Sequence, residues 1–151
     1  MGLTTSVGLG IAMCRPELNV VVLDDDGSLL MNLGSPTTMA RSQPKNLIHI
    51  IFDNESLLSI GGFPTATATG SDLEKMAGAA GIPRSRTVSA LEEFTQVFHD
   101  ALSANELTTL VAKVEGKSTF AALPDLHMLE NRFEFQRHLR SLSNRNGTRR
   151  H

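Results

Sequence analysis

The 151-residue chain has one cysteine, no apolar run of membrane-spanning length, and no marked excess of either charge. A lone cysteine excludes an internal disulfide, and Cys14 reads as a small buried hydrophobe in a reducing compartment. A membrane span needs roughly 18 or more consecutive apolar residues, and the N-terminus lacks the pattern of a secretory leader. The expected location is therefore cytoplasmic. A formal net charge of −2 gives no electrostatic reason to expect nucleic-acid binding. The exception is SLSNRNGTRRH at the end, polar, basic and without apolar periodicity, which predicts a disordered tail over residues 143–151. What is present, 40% hydrophobic and 20% charged residues, is enough for one domain with a real core, expected over residues 1–142.

Two segments, residues 19–24 (NVVVLD) and 46–54 (NLIHIIFDN), are nearly unbroken β-branched runs bounded by turn residues. That is the pattern of parallel strands covered on both faces. Residues 107–115 (LTTLVAKVE) read as a third strand and 87–89 as a short fourth. Helical spacing separates them. Residues 4–13 carry Gly8 and Gly10, which permit close packing. Residues 28–41 contain Gly34 and Pro36, so a kink or early stop is expected. Residues 71–81 open on a capping box of Ser71 and Glu74 and end at Gly81. Residues 89–103 place Leu91, Phe94, Val97, Phe98, Ala101 and Leu102 on one face, and residues 129–142 carry Phe133, Phe135 and Leu139. Strands alternating with helices predict an α/β fold: three layers, α/β/α, around a mostly parallel sheet. The first helix feeds the strand at 19–24 directly, so the fold is expected to be one βα unit short at its start. His49, inside an apolar strand, is expected to be a satisfied core histidine, and His127 and His138 surface residues.

The stretch VVVLDDDGSLL (residues 20–30) sets three carboxylates, Asp24, Asp25 and Asp26, at the end of an apolar strand, followed at once by Gly27 and Ser28. In an open parallel sheet, ligands bind beyond the carboxyl ends of the strands. A strand-end carboxylate beside a helix start that attracts anions suits a magnesium ion bridging protein to phosphate. The second strand ends in FDNES (residues 52–56). If it neighbours the first, Asp26 and Asn54 are placed to share one cation, with a carbonyl of the following turn as a third ligand.

An acidic-Gly-Ser turn followed about 28 residues later by Asn resembles the signature of the thiamine-diphosphate-binding domain of thiamine-dependent decarboxylases and synthases. MGLTTSVGLGIA, LLMNLGSPTTMA, NLIHIIFDNES and GGFPTATATGSDLEKMAGAAGI extend the likeness over residues 1 to about 115. Within that family it is similar to the sulfopyruvate and phosphonopyruvate decarboxylases. The resemblance implies a subunit binding thiamine diphosphate and Mg²⁺, with Asp26, the Asn54 side chain and the Ser56 carbonyl as metal ligands. Asp25, Asp26, Gly27 and Ser28 would meet the cofactor, Gly27 and Ser28 holding the diphosphate. Met1 and Gly2 match the position of the apolar wedge beneath the bent cofactor, and Leu57 and Leu58 the lining of the next turn. Gly61, Gly62 and TATATG (residues 65–70) would border the active-site entrance, or form only a flexible loop. The family's activating glutamate lies on a separate pyrimidine-binding domain, so the implied partner is a pyrimidine-binding subunit, in a hetero-oligomer or homodimer, and the substrate a small 2-keto acid.

One position departs from the family turn. Its first glycine is Asp25 here, which adds a side chain and a negative charge beside the expected diphosphate. The alternative is a degenerate domain with a scaffold or regulatory role; within the enzyme class, an acetolactate-synthase-like carboligation is the other possibility. A third reading takes Asp24 as the nucleophile and Asp26 as the general acid/base of a haloacid-dehalogenase-like turn. That chemistry needs a later acidic pair at a strand end, and none follows the DNES segment.

Overall fold

A computed structural model describes residues 2–116 and 127–147, excluding the side chains at 128 and 143–147. The chain divides into two compact units, residues 1–117 and 118–151.

The first unit is built on four parallel strands, β1 (Val20–Asp25), β2 (Leu47–Asp53), β5 (Arg84–Val88) and β6 (Thr108–Lys113), in the order β1-β2-β6-β5. Between β2 and β5 lies a two-stranded antiparallel ribbon, β3 (Ser56–Leu57) with β4 (Phe63–Pro64). The helices are α1 (Thr4–Cys14), α2 (Asp26–Leu30), α3 (Ser35–Ser42), α4 (Leu73–Ala79) and α5 (Leu91–Ala104). The second unit contains α6 (Met128–Gly147), on which Leu129, Phe133, Phe135 and His138 are exposed. It passes residue 142, where the sequence predicts the helix to stop; residues 148–151 lie outside the described part.

The register shows how the sheet is clothed. Val22 pairs with His49 and His49 with Thr109, whereas Leu23 pairs with Ile50 and Ile50 with Leu110. Alternate residues therefore face opposite layers. On one face, Val22 and Leu47 pack with Leu9 and Ala12 of α1, Met39 and Ala40 of α3, and Ala77 of α4. On the other, Ile48, Ile50 and Leu110 pack with Ala101, Phe94, Val97 and Phe98 of α5. The second layer is narrower. Val21 and Leu23, on the α5 side of edge strand β1, remain 39% and 58% exposed.

Gly8 is required where α1 meets β1. A Cβ there would sit 2.1 Å from Val22 Cγ2, while one on Gly10 would meet nothing within 4 Å. The expected packing role thus holds for Gly8 and not for Gly10. The helix expected over residues 28–41 is two, broken at residues 31–34. Pro36 lies in the first turn of α3, where its missing N–H leaves no intrahelical bond unmade. The N-cap of α4 is Asp72, which accepts from Lys75 N at 3.0 Å, not Ser71. Glu74 is drawn away instead and accepts from Thr87 N of β5 at 2.7 Å. Three residues assigned to the interior are not there: Leu91 is 75% exposed, Leu102 38%, and Cys14 is exposed.

A candidate cofactor site at the carboxyl ends of the strands

Because the four strands are parallel, their carboxyl ends share one edge, and the acidic turn sits there. The three aspartates do not face one another. The pleat turns Asp24 toward the α1 layer, where it is 8% exposed, and Asp25 to the exposed side; Asp26 is 1% exposed in the first turn of α2.

Asp24 has its own donors. Thr5 Oγ1 donates to its Oδ2 at 2.8 Å, His49 Nε2 lies 3.4 Å from the same oxygen, and the Asp25 N–H donates to Oδ1 at 3.0 Å. Burial raises its pKa, but hydrogen bonds from His49, Ser28 and Thr5 outweigh that and hold the carboxyl down at about 2. His49 is fully buried and bonded through Nε2, as expected of a core histidine, but it is not fully satisfied, since its buried Nδ1 has no partner. Closed in this way, Asp24 is no free nucleophile, which removes the dehalogenase-like reading.

Asp25 stands at the N-cap of α2 with φ −120° and ψ 165°, ordinary extended geometry. Glycine is therefore not needed here for backbone reasons. The Asp25 carboxylate accepts the Ser28 N–H at 2.5 Å. Ser28 Oγ in turn accepts from Gly2 N at 2.9 Å, and Asn32 Nδ2 donates to the Gly2 carbonyl at 2.9 Å. Gly2, at φ +74°, is thereby fixed against the turn. Met1 lies outside the described residues.

Asp26 differs from its neighbours. Its Oδ2 accepts from Thr65 Oγ1, and Thr67 Oγ1 lies 3.0 Å from the same oxygen. Its Oδ1 is buried and has no hydrogen-bond partner. A buried carboxylate oxygen left without a donor costs on the order of 1–3 kcal/mol or more. A cation would remove that cost. Gly27 lies beneath the β3–β4 excursion, where a Cβ would come within 2.4 Å of Leu57 Cδ2 and 3.6 Å of Thr65 Cγ2.

The neighbouring strand end completes the edge. Asp25 is in register with Phe52, so Asp26 comes level with Asp53, one residue before Asn54. Thr67 Oγ1 links the two carboxylates, 2.8 Å from Asp53 Oδ1. Lys113, at the end of β6, meets Asp53 Oδ2 at 2.8 Å and Glu55 Oε1 at 2.9 Å. Burial lowers the Lys113 pKa, but the two carboxylates outweigh it and the net direction is upward. Asn54 Oδ1 accepts from Ser56 N at 2.8 Å, closing an Asx turn that leads into β3. Leu57 is half-buried above Gly27, and Leu58 is 39% exposed at the start of a 3₁₀ turn. The direct neighbours of Asp26 are thus Thr65, Thr67 and, through Thr67, Asp53. Their contacts with Asp26 span 39 and 41 residues, beyond any local motif, although alternate threonines in TATATG mark where hydroxyls recur.

A doubly covered parallel sheet with an acidic turn at its carboxyl edge is the class of α/β domain that binds phosphorylated cofactors. The chain belongs to the family of the C-terminal TPP-binding domain of thiamine pyrophosphate enzymes, whose model matches residues 1–112. It is 42% identical over 113 residues to the sulfopyruvate decarboxylase subunit beta of Methanocaldococcus jannaschii, covering 75% of this chain and 59% of that one. It is 39% identical over 110 residues to the phosphonopyruvate decarboxylase of Streptomyces hygroscopicus, covering 73% of this chain and 27% of the relative. The chain therefore spans about three fifths of the first relative and about a quarter of the second. Among solved structures, the 4-hydroxybenzoylformate decarboxylase of Rhodococcus jostii RHA1 superposes with a TM-score of 0.66 at 23% identity, over 79% of this chain and 24% of that one. The benzoylformate decarboxylase of Polynucleobacter necessarius gives 0.61 at 21% identity, over 77% and 23%. The fold is the three-layer α/β/α fold of thiamine-diphosphate enzymes, as the sequence predicts.

Proposed function

We propose that this chain is the Mg²⁺-thiamine-diphosphate-binding subunit of a 2-keto acid decarboxylase of the sulfopyruvate or phosphonopyruvate type. In this reading it acts with a pyrimidine-binding partner subunit. The observation that carries the proposal is Asp26 Oδ1: buried, without a donor, and on the acidic turn that resembles the family's cofactor-binding signature, within the matched residues. Among the described residues no group of three or more His, Cys, Asp and Glu side chains is placed to hold a metal. The ligand set assigned here is of another kind, with one carboxylate (Asp26), one amide (Asn54) and one backbone carbonyl (Ser56). Hard oxygen donors of this kind suit Mg²⁺, which keeps its remaining positions for phosphate oxygens and water.

Asp26 would hold the ion, and Gly27 and Ser28 the diphosphate. Gly2, tied to Ser28 and Asn32, would lie beneath the cofactor, and Leu57 and Leu58 would exclude water on the other side. Bound there, thiamine diphosphate supplies the electron sink for loss of CO₂ from a 2-keto acid. Titration calorimetry tests the binding step. Thiamine diphosphate with Mg²⁺ is expected to bind the chain, and Asp26→Ala to abolish binding while leaving the circular dichroism spectrum unchanged. Unimpaired binding by Asp26→Ala overturns the assignment.

One observation favours a second reading, a degenerate domain with a scaffold or regulatory role. The Asp25 carboxylate already occupies the Ser28 N–H that the diphosphate would use. The same titration separates the two. Binding by Asp25→Gly but not by the native chain selects the degenerate reading.

A further inference from the structure

We propose that Thr65 and Thr67 are positioning residues for Asp26, and that they make the site select Mg²⁺ over Ca²⁺. The inference rests on the cofactor reading above and deepens it. Both hydroxyls converge on one carboxylate oxygen, Oδ2, while the other, Oδ1, is left bare in a residue that is 1% exposed. Thr65 Oγ1 and Thr67 Oγ1 are 2.8 Å apart, so their two hydrogens are shared among Asp26, Asp53 and each other. Thr67 is anchored further by Asp53 at 2.8 Å, and Asp53 by Lys113 Nζ at 2.8 Å. With its single hydrogen, Thr67 donates to one carboxylate at a time. Lys113 supplies the positive charge that lets Asp53 and Asp26 approach the same hydroxyl.

The consequence is geometric. A carboxylate whose Oδ2 accepts from Thr65, and from Thr67 whenever that hydroxyl turns its hydrogen away from Asp53, is held in rotation and offers a cation one oxygen. Mg²⁺ demands near-octahedral geometry at about 2.0–2.1 Å, which one oxygen per carboxylate satisfies; Ca²⁺ takes 6–8 oxygens at about 2.3–2.6 Å and readily accepts both oxygens of a carboxylate. Removing the lock frees Oδ2 to join the metal. That favours the larger ion.

The test is calorimetric, on the full chain with thiamine diphosphate and either Mg²⁺ or Ca²⁺. Thr67→Val, nearly isosteric, is expected to weaken Mg²⁺-dependent binding about tenfold and to narrow the Mg²⁺/Ca²⁺ preference by a similar factor. Thr67→Ser, which keeps the hydroxyl, is expected to restore both. Thr65→Val and Thr65→Ser give a second pair should Thr67→Val fail to fold. A native chain that binds while the valine variants keep the native preference overturns this inference alone. So does a serine variant that behaves like its valine counterpart. A native chain that binds neither metal complex overturns the cofactor reading and this inference with it.

Discussion

Three adjacent aspartates look like a repulsive cluster, yet each has been given a separate solution. Alternation along β1 sends Asp24 inward and Asp25 outward, and the start of α2 turns Asp26 away from both. Asp24 is matched by Thr5, His49 and a backbone N–H, and Asp25, on the exposed side, by Ser28; of the three, Asp26 alone keeps a buried oxygen without a partner. This distribution has a pH signature. The Asp24 carboxyl lies at about 2 in the folded protein, against about 3.9 for an unperturbed aspartate. A depressed folded-state pKa contributes stability that is complete above the unfolded value and is lost as pH falls through the folded one. The native chain should therefore lose on the order of 1–2 kcal/mol more than Asp24→Asn as pH drops from about 5 to about 2. Urea midpoints followed by circular dichroism across that range measure the difference. Parallel profiles for the two proteins refute the assignment.

At the scale of elements, glycine spacing in α1 decides how closely the first layer sits on the sheet. Replacing a helix-interior glycine by alanine gains roughly 0.5–1 kcal/mol where nothing is in the way. At Gly10 nothing lies within 4 Å of the added carbon, so Gly10→Ala should stabilise the protein. At Gly8 the added carbon meets Val22 at 2.1 Å. Overpacking of this kind costs about 1–3 kcal/mol, which outweighs the helix gain. Gly8→Ala should lower the unfolding midpoint, and Val22→Ala should be far less harmful in that background than in the native one. Equal effects at the two glycines would contradict the packing. The elements themselves were legible to different degrees. β2 and β6 announce themselves because burial on both faces demands unbroken apolar runs, and β1 is as apolar although its Val21 and Leu23 face stays exposed. β5, RSRTV, is polar because it is an edge strand with Arg84 and Arg86 exposed, so only its end reads as strand from the sequence. Gly34 and Pro36 signal a kink or an early stop between α2 and α3, and the stop is what the chain makes. In the site, Asp26, Gly27 and Ser28 are legible because turn, charge and anion-binding backbone are contiguous. Thr65, Thr67 and Lys113 are not, since tertiary folding alone brings them to Asp26 and Asp53.

At the scale of the whole molecule, the site is one-sided. The candidate groups come from the carboxyl ends of β1 and β2 and from the excursion after β2, and in the proposed reading they would hold only the diphosphate and its metal. The proposed chemistry also needs a carboxylic acid on the pyrimidine ring of the cofactor. Of the glutamates in the described residues near the strand ends, Glu55 is paired with Lys113, Glu74 is committed to Thr87 on the backbone of β5, and Glu115, on the same edge as Glu55 and Lys113, is engaged as well. Relatives of this chain carry the name subunit beta, which agrees with a split between two polypeptides. The prediction is that the purified chain, given thiamine diphosphate, Mg²⁺ and sulfopyruvate or phosphonopyruvate, releases no CO₂ above background. Adding a pyrimidine-binding subunit should produce turnover, and Asp26→Ala in the mixture should remove it. Coupled CO₂ detection under single-subunit and mixed conditions reads all three outcomes. Turnover by this chain without a second polypeptide would place the activating acid within these 151 residues and overturn the division of the site.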